Sequence, residues 1–129
     1  TGAQDVFGSS DFGFTSLGTD LLFEIGDSAV VGIEICEDMN APIAPSAFLA
    51  LNGANVILNL SASPEQVGKR HIRRERVKAN SAASKAIYAY ASAGYTESTA
   101  DQVFSGHSII AENGVILKEN ENLIDTGYM

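Results

Sequence analysis

The chain has 129 residues, a formal charge of −8 and 45% hydrophobic residues, which suits one domain, or a piece of one, with enough apolar material for a core. The acidic balance argues against non-specific nucleic-acid binding, which needs a basic surface, and no apolar run approaches the ~20 residues that cross a bilayer. A single cysteine cannot close an intramolecular disulfide, and TGAQDVFGSSDFGFTS at the N-terminus lacks the basic and apolar regions of a signal peptide, so the sequence reads as soluble and cytoplasmic.

Residues 1–17, rich in Gly, Ser, Asp and Phe without a period, read as loop. DLLFEI (Asp20–Ile25) and AVVGIEIC (Ala29–Cys36) are β-like and flank a short GDS turn, so they predict a hairpin. The second run is nearly continuously apolar, broken by Glu34, as an inner strand is. Pro45 followed by Ser46 predicts a helix start with Ser46 as N-cap, AFLAL continues it, and Asn52-Gly53 stops it. NVILNL (Asn55–Leu60) is a further buried strand, and SASPEQVGK is a polar loop at its end. Residues 66–85 are helical in composition, with Val67, Ile72, Val77 and Ala82/Ala83 drifting around one face. AIYAYAS (Ala86–Ser92) alternates as a strand does. GYTESTADQVFSG is a long loop, and HSIIAENGVILKEN is a hairpin turning at Asn113-Gly114. The order β-β-α-β-α-β-β-β predicts an α/β fold with a mixed sheet.

Seven of the eight basic residues lie between Lys69 and Lys85. Their plain reading is a solvated helix face, with Glu75 offering local ion pairs.

Cys36 admits two readings. A free cysteine is often a small core hydrophobe. Yet Cys36 ends a strand, where open α/β sheets bind ligands, and the amide N–H groups that follow it could bind an oxyanion. If it is a nucleophile, its base and its cation come from elsewhere. The end of the next strand offers Ser63 and Lys69. If the two strands are neighbours, a hydroxyl and an ammonium meet Cys36 at one sheet edge and could hold a substrate carboxylate. The competing reading is a serine-rich loop that caps the following helix. His71, amid arginines, reads as a surface residue. His107 opens a strand, and spacing leaves a Cys–His dyad open. No cluster has metal-ligand spacing, and no glycine-rich phosphate loop is present.

The segments GTDLLFE, VVGIEICEDM, GANVILNLSASPEQVGK and YAYASAGYTESTADQVFSGHSIIAENG, in this order, resemble the glutaminase domain of bacterial glutamine-dependent NAD+ synthetases. These domains belong to the nitrilase (carbon–nitrogen hydrolase) superfamily. The resemblance covers residues 18–120. It implies part of a four-layer α-β-β-α sandwich and hydrolysis of glutamine to glutamate and ammonia. The ammonia would amidate nicotinic acid adenine dinucleotide on a synthetase domain or subunit that uses ATP and Mg2+. Cys36 matches the family nucleophile, the backbone N–H of Glu37 would help bind the oxyanion, and Ser63 and Lys69 match positions that contact the polar end of glutamine. The Glu and Lys of the family's Glu–Lys–Cys triad would precede Thr1, and the synthetase domain would follow Met129, so residues 1–129 are expected to form part of one glutaminase domain with little activity alone. No metal or cofactor is implied within this segment, and homo-oligomers are common in the superfamily. The chain departs from the family where Asn40 replaces the usual Trp and Lys69 stands where some members have Arg. Glu97 lines the pocket or caps a turn. A stand-alone amidase of the same superfamily and a non-catalytic interaction domain with Cys36 in its core are the competing functions.

Overall fold

The computed structural model describes the backbone of residues 5–9 and 13–120 and the side chains of residues 18–120. Six strands form one mixed sheet in simple chain order: β3 (Leu22–Ile25), β4 (Ala29–Ile35), β5 (Val56–Ser61), β6 (Ile87–Ser92), β7 (Ser108–Glu112) and β8 (Val115–Glu119). The central pairs β4–β5 and β5–β6 are parallel, and the outer pairs are antiparallel hairpins or returns. Parallel neighbours need crossover connections, and the two helices supply them: α1 (Pro45–Leu51) joins β4 to β5, and α2 (Lys69–Ser84) joins β5 to β6. The α/β reading and the element order thus hold from residue 20 onward.

Register explains which residues are buried. Gly32, Ile57, Tyr88 and Ala111 are cross-strand partners on one face, as are Glu34, Asn59, Tyr90 and Ile109. Both helices pack on this face, α1 against β4 and α2 against β6, β7 and β8. The core therefore lies between sheet and helices, around Leu49, Ile57, Val77, Tyr88, Tyr90 and Ile109. Gly32 permits the close approach of α1, because a Cβ there would stand 3.0 Å from two Leu49 side-chain atoms. The opposite sheet face is apolar as well, yet Ile35 is 55% and Leu60 52% exposed. The β7–β8 turn is Asn113-Gly114 with φ of 46° and 83°, the double left-handed turn that this dipeptide favours.

Three local expectations are corrected. Residues 5–9 and 13–17 are not loop: β1 (Asp5–Ser9) and β2 (Gly13–Leu17) pair antiparallel as a separate two-stranded sheet. Strand pairing reflects partners more than intrinsic preference, and glycine and serine hide the alternation there. The rest of that stretch, residues 1–4 and 10–12, lies outside the described residues. Ser46 is not the N-cap of α1; Ala44 is, with Pro45 in the first helical position. Val67 and Ile72 do not face the core. The buried stripe of α2 is Arg73, Val77 and Ser81, a spacing of four that places them on one side of the helix.

Candidate functional site

At Ile35 strand β4 ends, and the chain turns at once into a 3-10 turn, Cys36–Asn40. Cys36 sits in the left-handed region with φ of 50°, a conformation that costs a residue with a Cβ about 1–2 kcal/mol. Surrounding bonds enforce it. The Asp38 carboxylate accepts the Ile35 N–H at 2.8 Å, and the Asn59 amide donates to the Cys36 carbonyl at 3.4 Å. Asn80 of α2 donates to the Met39 carbonyl at 3.0 Å. The thiol is thus held half-buried at a strand tip, outside the core cluster.

Beneath this elbow lies Glu34, 1% exposed. Its carboxylate accepts the Ser46 N–H at 2.8 Å, the Asn59 amide at 3.4 Å and the Tyr88 hydroxyl. The helix α1 begins without a side-chain cap of its own, so Glu34 supplies an acceptor for a first-turn N–H, and negative charge suits that helix end. Burial, then the Glu34 carboxylate, hold the Tyr88 phenol well above its ordinary value.

Strands β4 and β5 are parallel neighbours, so their carboxyl ends meet. A cavity of about 60 Å³ opens there, and Cys36, Glu37, Ser63 and Lys69 all line it. The structure therefore gathers the four residues that the sequence singled out. Asn40 lines it as well, at the position where the resemblance loosens. The serine-rich loop does not cap α2, whose N-cap is Gly68 with no side-chain hydrogen bond. Ser63 instead turns its Oγ to Arg73 Nη1 at 3.5 Å, while its N–H donates to Ser92 Oγ at 3.3 Å.

Among the other residues that line the cavity, the sequence reading gave no site role to Arg73, Arg76 or Tyr90. Arg73 is 3% exposed, which corrects the solvated reading of the basic run at its centre. It pairs with Glu65 and donates from Nε to His107 Nδ1 at 3.1 Å. Because Arg Nε only donates, Nδ1 is the acceptor and the His107 proton resides on Nε2, which donates to Glu119 at 2.9 Å. Arg70 and Arg74 hold Glu119 at 3.2 and 3.0 Å. The expected local pair does form, between Lys78 and Glu75 at 3.1 Å.

The charges of this network follow from its contacts. Burial, aided by the Arg70 and Arg73 charges, keeps the His107 imidazole below its ordinary value, against the pull of Glu119. Burial alone would raise the Glu65 carboxyl, but hydrogen bonds from Ser105 and Arg73 leave it lowered. Burial would likewise raise Glu119, and His107 and Arg70 leave it lowered. His107 is neutral, fully buried and bonded through both ring nitrogens, so it is no base for Cys36 and the dyad reading falls. His71 is exposed on α2 as expected. Glu97 closes a 3-10 turn, Tyr95–Glu97, and is exposed. Among the described residues no His/Cys/Asp/Glu group could hold a metal ion, and no helix is long and apolar enough to cross a membrane.

The carbon–nitrogen hydrolase family profile matches residues 4–126. A glutamine-dependent NAD(+) synthetase of Mycobacterium bovis is 47% identical over 116 residues, which are 88% of this chain and 17% of that protein. The chain thus spans about a sixth of the length of the curated relatives it matches. A glutamine-dependent NAD(+) synthetase crystal structure from Cytophaga hutchinsonii superposes with a TM-score of 0.77 at 28% identity, over 93% of this chain and 18% of that one. Nit3 of Saccharomyces cerevisiae, a nitrilase-superfamily member, shares the fold with a TM-score of 0.69 at 19% identity, over 92% of this chain and 42% of that one. With the profile match over nearly its whole length and a sheet, helices and strand-tip thiol arranged as described, the chain belongs to the carbon–nitrogen hydrolase family.

Proposed function

We propose that this chain carries the nucleophile of a glutamine amide hydrolase that feeds ammonia to NAD+ synthesis. One observation carries the reading: Cys36 and Glu37 after β4 and Ser63 and Lys69 after β5 line one cavity at the strained tip of β4. The Cys36 sulfur attacks the side-chain amide carbon, the C–N bond breaks, and the amide nitrogen takes up the proton given up by the thiol and leaves as ammonia, with the acyl group held as a thioester. Water then cleaves the thioester, releasing glutamate and restoring the thiol. The Glu37 backbone N–H, just past the elbow, stabilises the oxyanion of each tetrahedral intermediate. Ser63 and Lys69 hold the polar end of glutamine.

The resemblance implies a general-base Glu and a Lys for the triad, supplied by sequence preceding Thr1. It also implies a synthetase domain or subunit that binds ATP and Mg2+. The link to NAD+ synthesis is supported by the 47%-identical relatives, which are glutamine-dependent NAD(+) synthetases. On this reading residues 1–129 are part of a cytoplasmic, homo-oligomeric glutaminase domain, completed to a four-layer sandwich over the exposed Ile35/Leu60 face.

The test is ammonia release from glutamine by the full-length protein, with Cys36→Ala as control. The wild type releases ammonia, the variant loses it by ~10³-fold or more, and glutamine protects Cys36 from iodoacetamide. Undiminished hydrolysis in the variant, or a thiol that glutamine does not protect, refutes the reading. The 129-residue chain alone is expected to be inactive; efficient turnover by it would refute the absent-triad part.

A further inference from the structure

We propose that the Tyr90 hydroxyl donates a hydrogen bond to the carboxylate of the bound amino-acid substrate and makes the cavity select for that group. This rests on the glutamine reading of the site.

Tyr90 lies on β6, with its side chain on the helix-covered sheet face. It is 2% exposed and lines the same cavity as Cys36. Its ring meets His107 edge-on, with centroids 6.3 Å apart. Its hydroxyl is buried and has no hydrogen-bond partner among the described residues. Every other buried polar group around the site is engaged. Tyr88, two residues earlier on the same face, gives its hydroxyl to Glu34. Arg73 is shared among Glu65, Ser63 and His107. A buried hydroxyl with no partner is costly and uncommon in native folds, and it calls for a ligand atom or an ordered water.

The surroundings specify the ligand's charge. Lys69 and Arg76 line the cavity, and neither makes an ion pair among the described residues. The N-terminus of the 16-residue helix α2 begins at Lys69 with no side-chain cap, and that helix end favours an anion. Glu37 is the one carboxylate on the cavity wall, and its side chain is exposed. A volume of about 60 Å³ suits a carboxylate-sized group. A phenol hydroxyl donates to such a group, and it also reads the group's absence: without a carboxylate the hydroxyl is again left alone.

The experiment uses the full-length protein and Tyr90→Phe, which keeps the ring against His107. Two amides are compared: glutamine, and 4-aminobutanamide, which is glutamine without its α-carboxylate. The variant is expected to lose roughly 10–100-fold in kcat/KM for glutamine, mainly through KM, and nothing for 4-aminobutanamide. A second readout needs no turnover. Glutamate and 4-aminobutanoate are titrated as protectors of Cys36 against iodoacetamide. The variant weakens protection by glutamate alone. Equal losses on both members of either pair, or no loss on either, overturn the assignment and leave the hydroxyl to structure or to a bound water. Those outcomes leave the glutaminase reading standing. A wild-type protein that does not hydrolyse glutamine overturns that reading instead.

Discussion

Replacing Cys36 with glycine is expected to stabilise the fold relative to Cys36→Ala. Both variants lack the sulfur, so neither can form a thioester, and they differ only in the Cβ. Alanine keeps the left-handed clash at φ of 50°; glycine removes it. The clash is worth about 1–2 kcal/mol. Against this stands the greater freedom of glycine in the unfolded chain, about 0.4–1 kcal/mol. The difference leaves glycine ahead by roughly 0.5–1 kcal/mol, a factor of about 2–5 in the folded-to-unfolded ratio. Lys85 provides an internal calibration. It also has a left-handed φ, of 52°, but at the C-cap of α2, where glycine is the usual occupant. Lys85→Gly against Lys85→Ala should give a gain of the same size without touching the cavity. The assay is a pair of urea melts for each site, compared at equal m. If Lys85→Gly gains and Cys36→Gly falls below Cys36→Ala, the backbone at Cys36 is not strained, and the elbow is not a stored distortion.

Further expectations concern the buried polar groups. Glu34→Leu would strand the Ser46 N–H, the Tyr88 hydroxyl and the Asn59 amide together, so a loss of about 3–5 kcal/mol in chemical melts is expected. Glu34→Gln, which keeps one acceptor, should lose about half of that. Gly32→Ala would push a Cβ to 3.0 Å from Leu49, costing roughly 1–3 kcal/mol and loosening α1 in hydrogen exchange. The stability is also expected to fall with acid in two steps. His107 binds its proton less readily in the fold than at its ordinary 6.5, so its contribution is whole above pH 6.5 and is lost as pH falls through the folded value. Glu65 and Glu119 are lowered from 4.5, so theirs is whole above pH 4.5 and is lost below it. Each group adds at most about 1.4 kcal/mol per pH unit in its own window. Melting temperature against pH should show the first step vanish in His107→Gln and the second remain; a single step unchanged by that variant would refute the assignment.

The six strands of the main sheet were legible because apolar runs bounded by turn signals leave few alternatives, and Asn113-Gly114 specifies its hairpin almost alone; β1 and β2, rich in glycine and serine, were not. The cavity was legible in part. Cys36, Ser63 and Lys69 follow apolar strands, and parallel neighbours bring strand ends together. Arg73 was not, because its partners Ser63, Glu65 and His107 lie on other elements on both sides of it in sequence, and apolar periodicity is blind to a buried stripe that includes an arginine and a serine. Its spacing of four from Val77 was the available signal. Tyr90 hid differently. It shares strand parity with Tyr88, so alternation predicts its burial but says nothing of whether its hydroxyl finds a partner.

The acidic residues around Cys36 divide their work by position, and this decides what the thiol still requires. Glu34 points under the elbow and is consumed by α1, Asn59 and Tyr88. Asp38 turns back to the Ile35 N–H and fixes the turn. Of these carboxylates only Glu37 lines the cavity, next to Cys36 in the chain. His107 is locked between Arg73 and Glu119. The described residues therefore offer the thiol a strained seat and cationic neighbours for an anionic ligand, while the two natural candidates for a base, Glu34 and His107, are already committed to holding the fold. On the proposed function, the general base for Cys36 is therefore expected from outside the described residues, with the face on which Ile35 and Leu60 are exposed as the open side of the sheet.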